Sequence, residues 1–257
     1  MATLPSGIPH RLKTKLSNNK EEKRHHHLIN SMPTFQLYDK LLGLPLFQGM
    51  SKADLATIVG QTKFGFHQFA AGEAVVKEHM PCSHLHFLLT GTLTVESVAD
   101  DHGYRLIEHL DSPAVLQPEH LFGLHQYYTR TFIAETNCQL ITLSKSEVMR
   151  LTEEFIIFQL NIFNILSTRS QKKNRQLWHL PPSSLSSHIA RFISTRCLHT
   201  KGEKILYIKM TRLAEELNDS RLDISHALNE LQEQGLIELH RGRIIIPAME
   251  QLAAQCL

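Results

Sequence analysis

Apolar residues recur along this chain with two different periods, and the changes of period mark its parts. Between residues 35 and 60, Leu37, Leu41 and Leu42 fall at helical spacing. Ser51 then opens a second helical segment with Leu55, Ile58 and Val59 on one face, and Ser51 and Asp54 form a capping pattern. From residue 62 to about 143 the period drops to two. Leu85, Phe87 and Leu89 alternate with His84, His86 and Leu88. Leu93 and Val95 follow across Gly91. Leu106, Glu108 and Leu110 alternate with Arg105, Ile107 and His109, and Phe132 and Ala134 with Ile133 and Glu135. Turn residues separate these runs at Ala71-Gly72-Glu73, Met80-Pro81, Asp100 to Gly103 and Asp111-Ser112-Pro113. Many short strands at regular spacing predict an antiparallel β-barrel or jelly roll.

At Ser144 the helical period returns, with Glu147 as capping partner. No proline or glycine interrupts residues 153–178, so one long helix is expected there. Its first half, with Phe155, Phe158, Ile162, Ile165 and Leu166, is apolar on more than one face. One face must cover the β domain and another must meet a partner. Pro181-Pro182 ends the helix and Ser183-Ser184 starts the next.

Residues 184–246 read as a helix, a short extended stretch (Ile205 to Met210), two short helices and a hairpin. Thr211 is expected to cap a helix with Leu213, Ala214 and Leu217 inward. Asn218-Asp219 makes a turn. Ser220 and Asp223 form a capping box for a second helix with Ile224, Leu228 and Leu231 inward. After Gly235, two apolar runs flank His240-Arg241-Gly242-Arg243, the pattern of a hairpin. Two helices, a tight turn and a hairpin make a winged helix-turn-helix. Donors and acceptors on the outer face of its second helix suit base edges in a major groove, and arginines at the hairpin tip suit phosphate. The residues expected at such a DNA surface are Thr211, Ser220, Arg221, Ser225, His226, Asn229, Arg241 and Arg243.

Composition sharpens this reading only a little. The net charge is +2, but residues 171–257 hold twelve basic against nine acidic residues, a mild bias in the half assigned to DNA. The four cysteines are far apart, without the spacing of a zinc or redox motif, as in a reduced cytoplasmic protein. No apolar run is long enough to span a membrane, and no secretory signal is evident. The division expected is a disordered basic arm over residues 1–31, with His25–His27 a weak metal-binding tract and Met32 an alternative start. A β-barrel domain over 32–152 follows, then a dimerisation helix over 153–180 and a winged domain over 181–257. The fold class is α+β.

The order of these parts resembles the CRP/FNR family of bacterial transcription regulators. The resemblance covers roughly residues 40–250 and is carried by His84 to Val95, by the turn and helix from Asn218 to Leu228, and by Leu228 to Ile237. It implies a cyclic-nucleotide-binding-like domain and a homodimer joined along residues 153–178 through Phe155, Phe158, Ile162, Ile165 and Leu166. It further implies a two-fold-symmetric operator with half-sites one helical turn apart, and a function without catalysis. Double-stranded DNA and a second copy of the chain are the implied partners, with RNA polymerase compatible and no membrane involved.

The departures concern the effector. Family members that bind cyclic AMP carry Gly-Glu followed by an Arg-Ser or Arg-Thr pair. Here the stretch reads Gln117-Pro118-Glu119-His120-Leu121-Phe122, then Tyr127-Tyr128-Thr129-Arg130. Proline offers no N–H to a phosphate, and a phenol does not pair its charge. Arg130 compensates only if the register slips by two. The effector pocket is therefore assigned to Glu119, Tyr128, Thr129 and Arg130 with cyclic AMP disfavoured, and no cofactor is expected. The arm lacks the cysteines that hold an iron–sulfur centre in oxygen-sensing members. Arg221 matches a base-reading arginine, whereas Leu222 and His226 depart from the best-known members, so the DNA site should differ from theirs. Three alternatives stay open. The scattered histidines keep a haem or gas sensor of the same fold in view. His84-x-His86 resembles a metal-binding cupin, although Thr90 stands where its glutamate is expected and two strand-surface histidines explain the pattern more simply. The third is a ligand-binding module that regulates a protein partner without DNA.

Overall fold

The computed structural model describes residues 34–178 and 182–256. The expected arm over 1–31, with its histidine tract and Met32, lies outside these residues. Helices α1 (Thr34–Gly43) and α2 (Lys52–Gln61) lead into eight strands: β1 (Gly65–Phe69), β2 (Ala74–Val76), β3 (His84–Thr90), β4 (Thr92–Val98), β5 (Tyr104–Asp111), β6 (Ala114–Leu116), β7 (Thr131–Ala134) and β8 (Cys138–Ser144). The strands do not close into a barrel. They form the two antiparallel sheets of a jelly roll, one ordered β1-β8-β3-β6 and the other containing β5-β4-β7-β2. Between them Phe47 meets Phe87 at 5.7 Å and Phe158 at 5.3 Å, centroid to centroid, tying the leading helices to the sheets. Ser51 caps α2 as the sequence predicts, its Oγ accepting the Asp54 amide at 3.1 Å.

Ser144 likewise caps α3 (Lys145–Glu154), but the helix expected over 153–178 is interrupted. Phe155 takes an extended conformation (φ −125°, ψ 100°), ending α3 and starting α4 (Ile156–Leu177). The pattern hid the break because no glycine or proline marks it. The ring of Phe155 is half-buried against the sensor core. Asn161 then fixes α4 to the leading segment by donating to the carbonyls of Leu46 (3.1 Å) and Gln48 (2.9 Å).

The C-terminal unit contains α5 (Leu185–Arg196), β9 (Lys204–Ile208), α6 (Met210–Leu217), α7 (Arg221–Glu233), β10 (Glu238–His240), β11 (Arg243–Ile246) and a closing helix α8 (Met249–Cys256). Its core joins Ile189 and Ile193 of α5 to Leu213, Ile224, Leu228, Leu231, Ile246 and Leu252. Thr211 does not cap α6. Lys209 holds the cap position without a side-chain bond, and Thr211 falls in the first turn, because the helix starts one residue earlier than its hydroxyl suggests.

The two units share a sheet. Strand β5 of the jelly roll pairs antiparallel with β9, which pairs with β11 of the wing, giving the continuous order β10-β11-β9-β5-β4-β7-β2. Leu106 of β5 lies in the core of the winged unit. Glu108 and Lys204 are direct cross-strand partners, each 1 % exposed, with Nζ 3.6 Å from the carboxylate. The same carboxylate accepts the amides of Leu198 (2.7 and 3.0 Å) and His199 (3.3 Å), and Lys204 also donates to the Lys201 carbonyl at 2.7 Å. Around this buried pair, Arg196 donates to the Tyr104 hydroxyl at 2.8 Å and Arg212 pairs with Asp101 at 2.8 Å.

A buried ion pair is worth little against an apolar replacement, but removing one member strands the other. Glu108→Ala leaves Lys204 and two amides without their acceptor. It is expected to lower the unfolding free energy by roughly 3–5 kcal/mol. Urea denaturation followed by circular dichroism checks this, and a loss under about 1 kcal/mol would show that water replaces the carboxylate.

Candidate DNA-binding surface and effector cavity

The helix-turn-helix is built by local chemistry. Asn218 ends α6 in the left-handed region (φ 52°), which asparagine tolerates, and its amide donates back to Glu215 at 3.2 Å. Ser220 then caps α7. Its Oγ accepts the Asp223 amide at 3.1 Å and donates to the Asp223 carboxylate at 2.6 Å. The capping box predicted from sequence is thus present. Ile224, Ala227, Leu228 and Leu231 face inward, which turns Arg221, His226 and Asn229 to solvent, with Ser225 half-buried at the edge.

The wing returns through Arg241-Gly242, where Gly242 takes φ 77° and His240 pairs with Arg243. Among the described residues Arg221, Arg241 and Arg243 form no ion pair, whereas Arg105, Arg150, Arg196 and Arg212 all do. The arginines of the recognition helix and wing therefore keep their forks free, and those at the seam do not. One exposed residue on α7 was given no role by the sequence reading. Leu222, 67 % exposed beside Arg221, presents an apolar side chain where a thymine methyl could be met.

The effector residues divide. Glu119, Thr129 and Arg130 line a cavity of about 900 Å³ that is also walled by Arg169 and Lys173 of α4 and by Lys201 of the winged unit. Tyr128 does not line it. The ring is buried in the jelly roll, and the hydroxyl donates to the His84 carbonyl at 3.0 Å with His86 Nδ1 2.8 Å away. A large ring drawn into the core is the more stable placement, and it removes Tyr128 from the pocket. Gln117 and Thr129 close the loop on each other, through Gln117 Nε2 to Thr129 Oγ1 at 2.7 Å and the Thr129 amide to Gln117 Oε1 at 3.2 Å. The Glu119 carboxylate is taken by Arg169. Arg130 donates to the Arg196 carbonyl at 3.2 Å and stands 3.7 Å from Glu108.

The helix residues expected to join two chains face the sensor instead. Phe158 is fully buried, Phe155, Ile162 and Ile165 pack against the same core, and Leu166 flanks an apolar cleft with Leu46 and Leu85. The apolar side chains that α4 turns to solvent are Ile156 (62 % exposed), Leu160 (46 %) and Phe163 (55 %). Sequence periodicity could not choose between two apolar faces of one helix. The His84-x-His86 pair is also split, with His84 exposed and His86 half-buried against Tyr128.

A jelly roll of the cyclic nucleotide-binding type, followed by a helix and a winged helix-turn-helix, defines a DNA-binding transcription regulator with a sensor-type domain. Residues 66–155 match the cyclic nucleotide-binding domain and residues 187–255 the Crp-like helix-turn-helix domain, together more than half of the chain. The chain belongs to the CRP/FNR family. Among curated proteins none matches it. Similar solved structures include the catabolite activator protein of Thermus thermophilus (16% identity, 83% of this chain and 100% of that one, TM-score 0.48). The sensor domain of the transcriptional regulator DNR of Pseudomonas aeruginosa is another (17%, 58% and 97%, 0.48). So is the c-di-GMP responsive global regulator CLP of Xanthomonas campestris (16%, 72% and 94%, 0.44). Among the described residues no helix is long and apolar enough to cross a membrane.

Burial lowers the pKa of His86 from 6.5 to about 4. As the pH falls the unfolded chain therefore takes up this proton first. The contribution is complete above pH 6.5 and is lost between 6.5 and 4, amounting to about 3 kcal/mol. Urea unfolding measured across this window should show a smaller pH dependence in His86→Asn than in the unsubstituted chain.

Proposed function

We propose that the chain acts as a homodimer that reads a two-fold-symmetric DNA site, with α7 of each protomer in a major groove and the wing on the flanking backbone. The observation that carries this reading is the set of unpaired arginines. Arg221 heads the exposed face of α7 with Ser225, His226 and Asn229 behind it, and Arg241 and Arg243 stand at the wing tip, all free of acidic partners among the described residues. Arg221 then reads a base, Arg243 holds phosphate, and Leu222 adds apolar contact. The dimer contact is assigned to Ile156, Leu160 and Phe163, an exposed apolar stripe at helical spacing.

Selection of duplexes from a random pool should return a symmetric site with half-sites about ten base pairs apart. Arg221→Ala should cost roughly 1–3 kcal/mol at one base position and relax specificity there. Arg243→Ala should weaken all sequences alike and reduce the salt slope by about one. An unchanged site preference in Arg221→Ala would remove it as the base reader.

The dimer is tested separately. Leu160→Glu with Phe163→Glu should convert a dimer to a monomer in sedimentation equilibrium without loss of helical signal. A dimer that persists places the contact elsewhere.

A further inference from the structure

The seam between the two units holds a cavity whose charge is one-sided. Its walls carry Arg130, Arg169, Lys172, Lys173 and Lys201, against a single carboxylate, Glu119. Arg169 takes that carboxylate, and Glu108 behind the wall is already matched by Lys204. Lys172, Lys173 and Lys201 have no ion pair among the described residues, and Arg130 Nη1 is buried without a hydrogen-bond acceptor. Like charges gathered at one mouth repel, and nothing in the protein offsets them.

These cations come from three separate pieces of chain. Arg130 follows the loop closed by Gln117 and Thr129, the lysines at 172 and 173 extend from α4, and Lys201 lies between α5 and β9 of the winged unit. Only the pairing of β5 with β9 brings the last to the others. The field they share registers on His199, a further wall residue. Burial lowers its pKa, Lys204, Arg169 and Arg130 lower it further, and Glu108 opposes them.

We propose that this cavity binds a small polyanion of the polyphosphate class, held jointly by the sensor and the winged unit. A ligand with several negative charges matches the uncompensated cations, and a singly charged cyclic nucleotide does not. The volume of about 900 Å³ lies within the roughly 300–1,000 Å³ of small-molecule sites, which leaves room for a nucleotide as well as a bare phosphate chain. Because the site is split across the seam, its occupant holds the winged unit against the sensor. The proposal is independent of any operator, and it is tested without DNA.

Isothermal titration of the full chain at fixed ionic strength, with tripolyphosphate, ATP and cyclic AMP in turn, reads the claim directly. Tripolyphosphate or ATP is expected to bind saturably, one per chain, at least tenfold tighter than cyclic AMP. ATP tighter than tripolyphosphate identifies a nucleotide, and equal affinities identify the phosphate chain alone. Lys201→Glu and the milder Lys201→Gln should each weaken binding, the first at least tenfold, as should Lys173→Glu. Lys52→Glu, far from the cavity on α2, should leave it unchanged. Absence of saturable binding up to millimolar concentration overturns the proposal. So does wild-type affinity in both Lys201 variants, or an equal loss in Lys52→Glu, which would reveal diffuse counterion attraction.

Discussion

The antiparallel pairing of β5 with β9 fixes where the DNA-reading unit stands relative to the sensor. Backbone pairing alone would leave a solvated joint, but here it is closed by charge. Glu108 is buried at the pairing line with Lys204 opposite and two amides from the α5–β9 connection on its oxygens. A carboxylate removed from water is tolerated only with such a full set of partners. The sheet that starts in the jelly roll therefore ends in the wing, and α6 and α7 inherit their orientation from a strand of the sensor. Leu106 completes the arrangement by serving the core of the unit to which it does not belong in sequence.

Helix α4 joins the same two units by a different principle. Its inner face supplies Phe158 to the sensor core, while its outer face keeps Ile156, Leu160 and Phe163 in solvent. A monomer with that stripe exposed has unspent apolar area on a rigid element, which is the physical basis for assigning it to a second copy. The polar second half of α4 contributes Arg169 and Lys173 to the cavity wall, so one helix carries both the proposed dimer contact and part of the proposed ligand site.

Much of this was legible in the sequence because it is local. The capping boxes at Ser51, Ser144 and Ser220, the left-handed Asn218 and the Gly242 turn follow from neighbours within four residues. The face of α7 follows from the spacing of Ile224, Leu228 and Leu231. What could not be read depends on contacts between distant residues. Glu108 reads as one inward residue of an alternating strand, and nothing in the pattern says that its partner lies at Lys204. Tyr128 was assigned to the pocket by its place in a motif, yet its ring is drawn into the core toward His86. Phe158 and Leu160 are equally apolar in sequence, and only packing against Phe47 separates the buried one from the exposed one.

The strength of the seam limits how such a regulator can be controlled. Separating the units would expose Leu106, break the bonds to Glu108 and leave Lys204 without its counter-ion, a cost of several kcal/mol. Allosteric couplings commonly amount to about 1–3 kcal/mol, too little to undo a joint of that strength. A ligand split across the seam adds to the joint instead of opposing it. On the proposed reading the operator is therefore met by winged units held in the docked orientation. What a polyanion changes is how narrowly that orientation is held, and through it how well two recognition helices on one dimer match a fixed half-site spacing. Control of this kind needs no domain release. It requires only that the ligand bind the well-aligned arrangement better than a misaligned one.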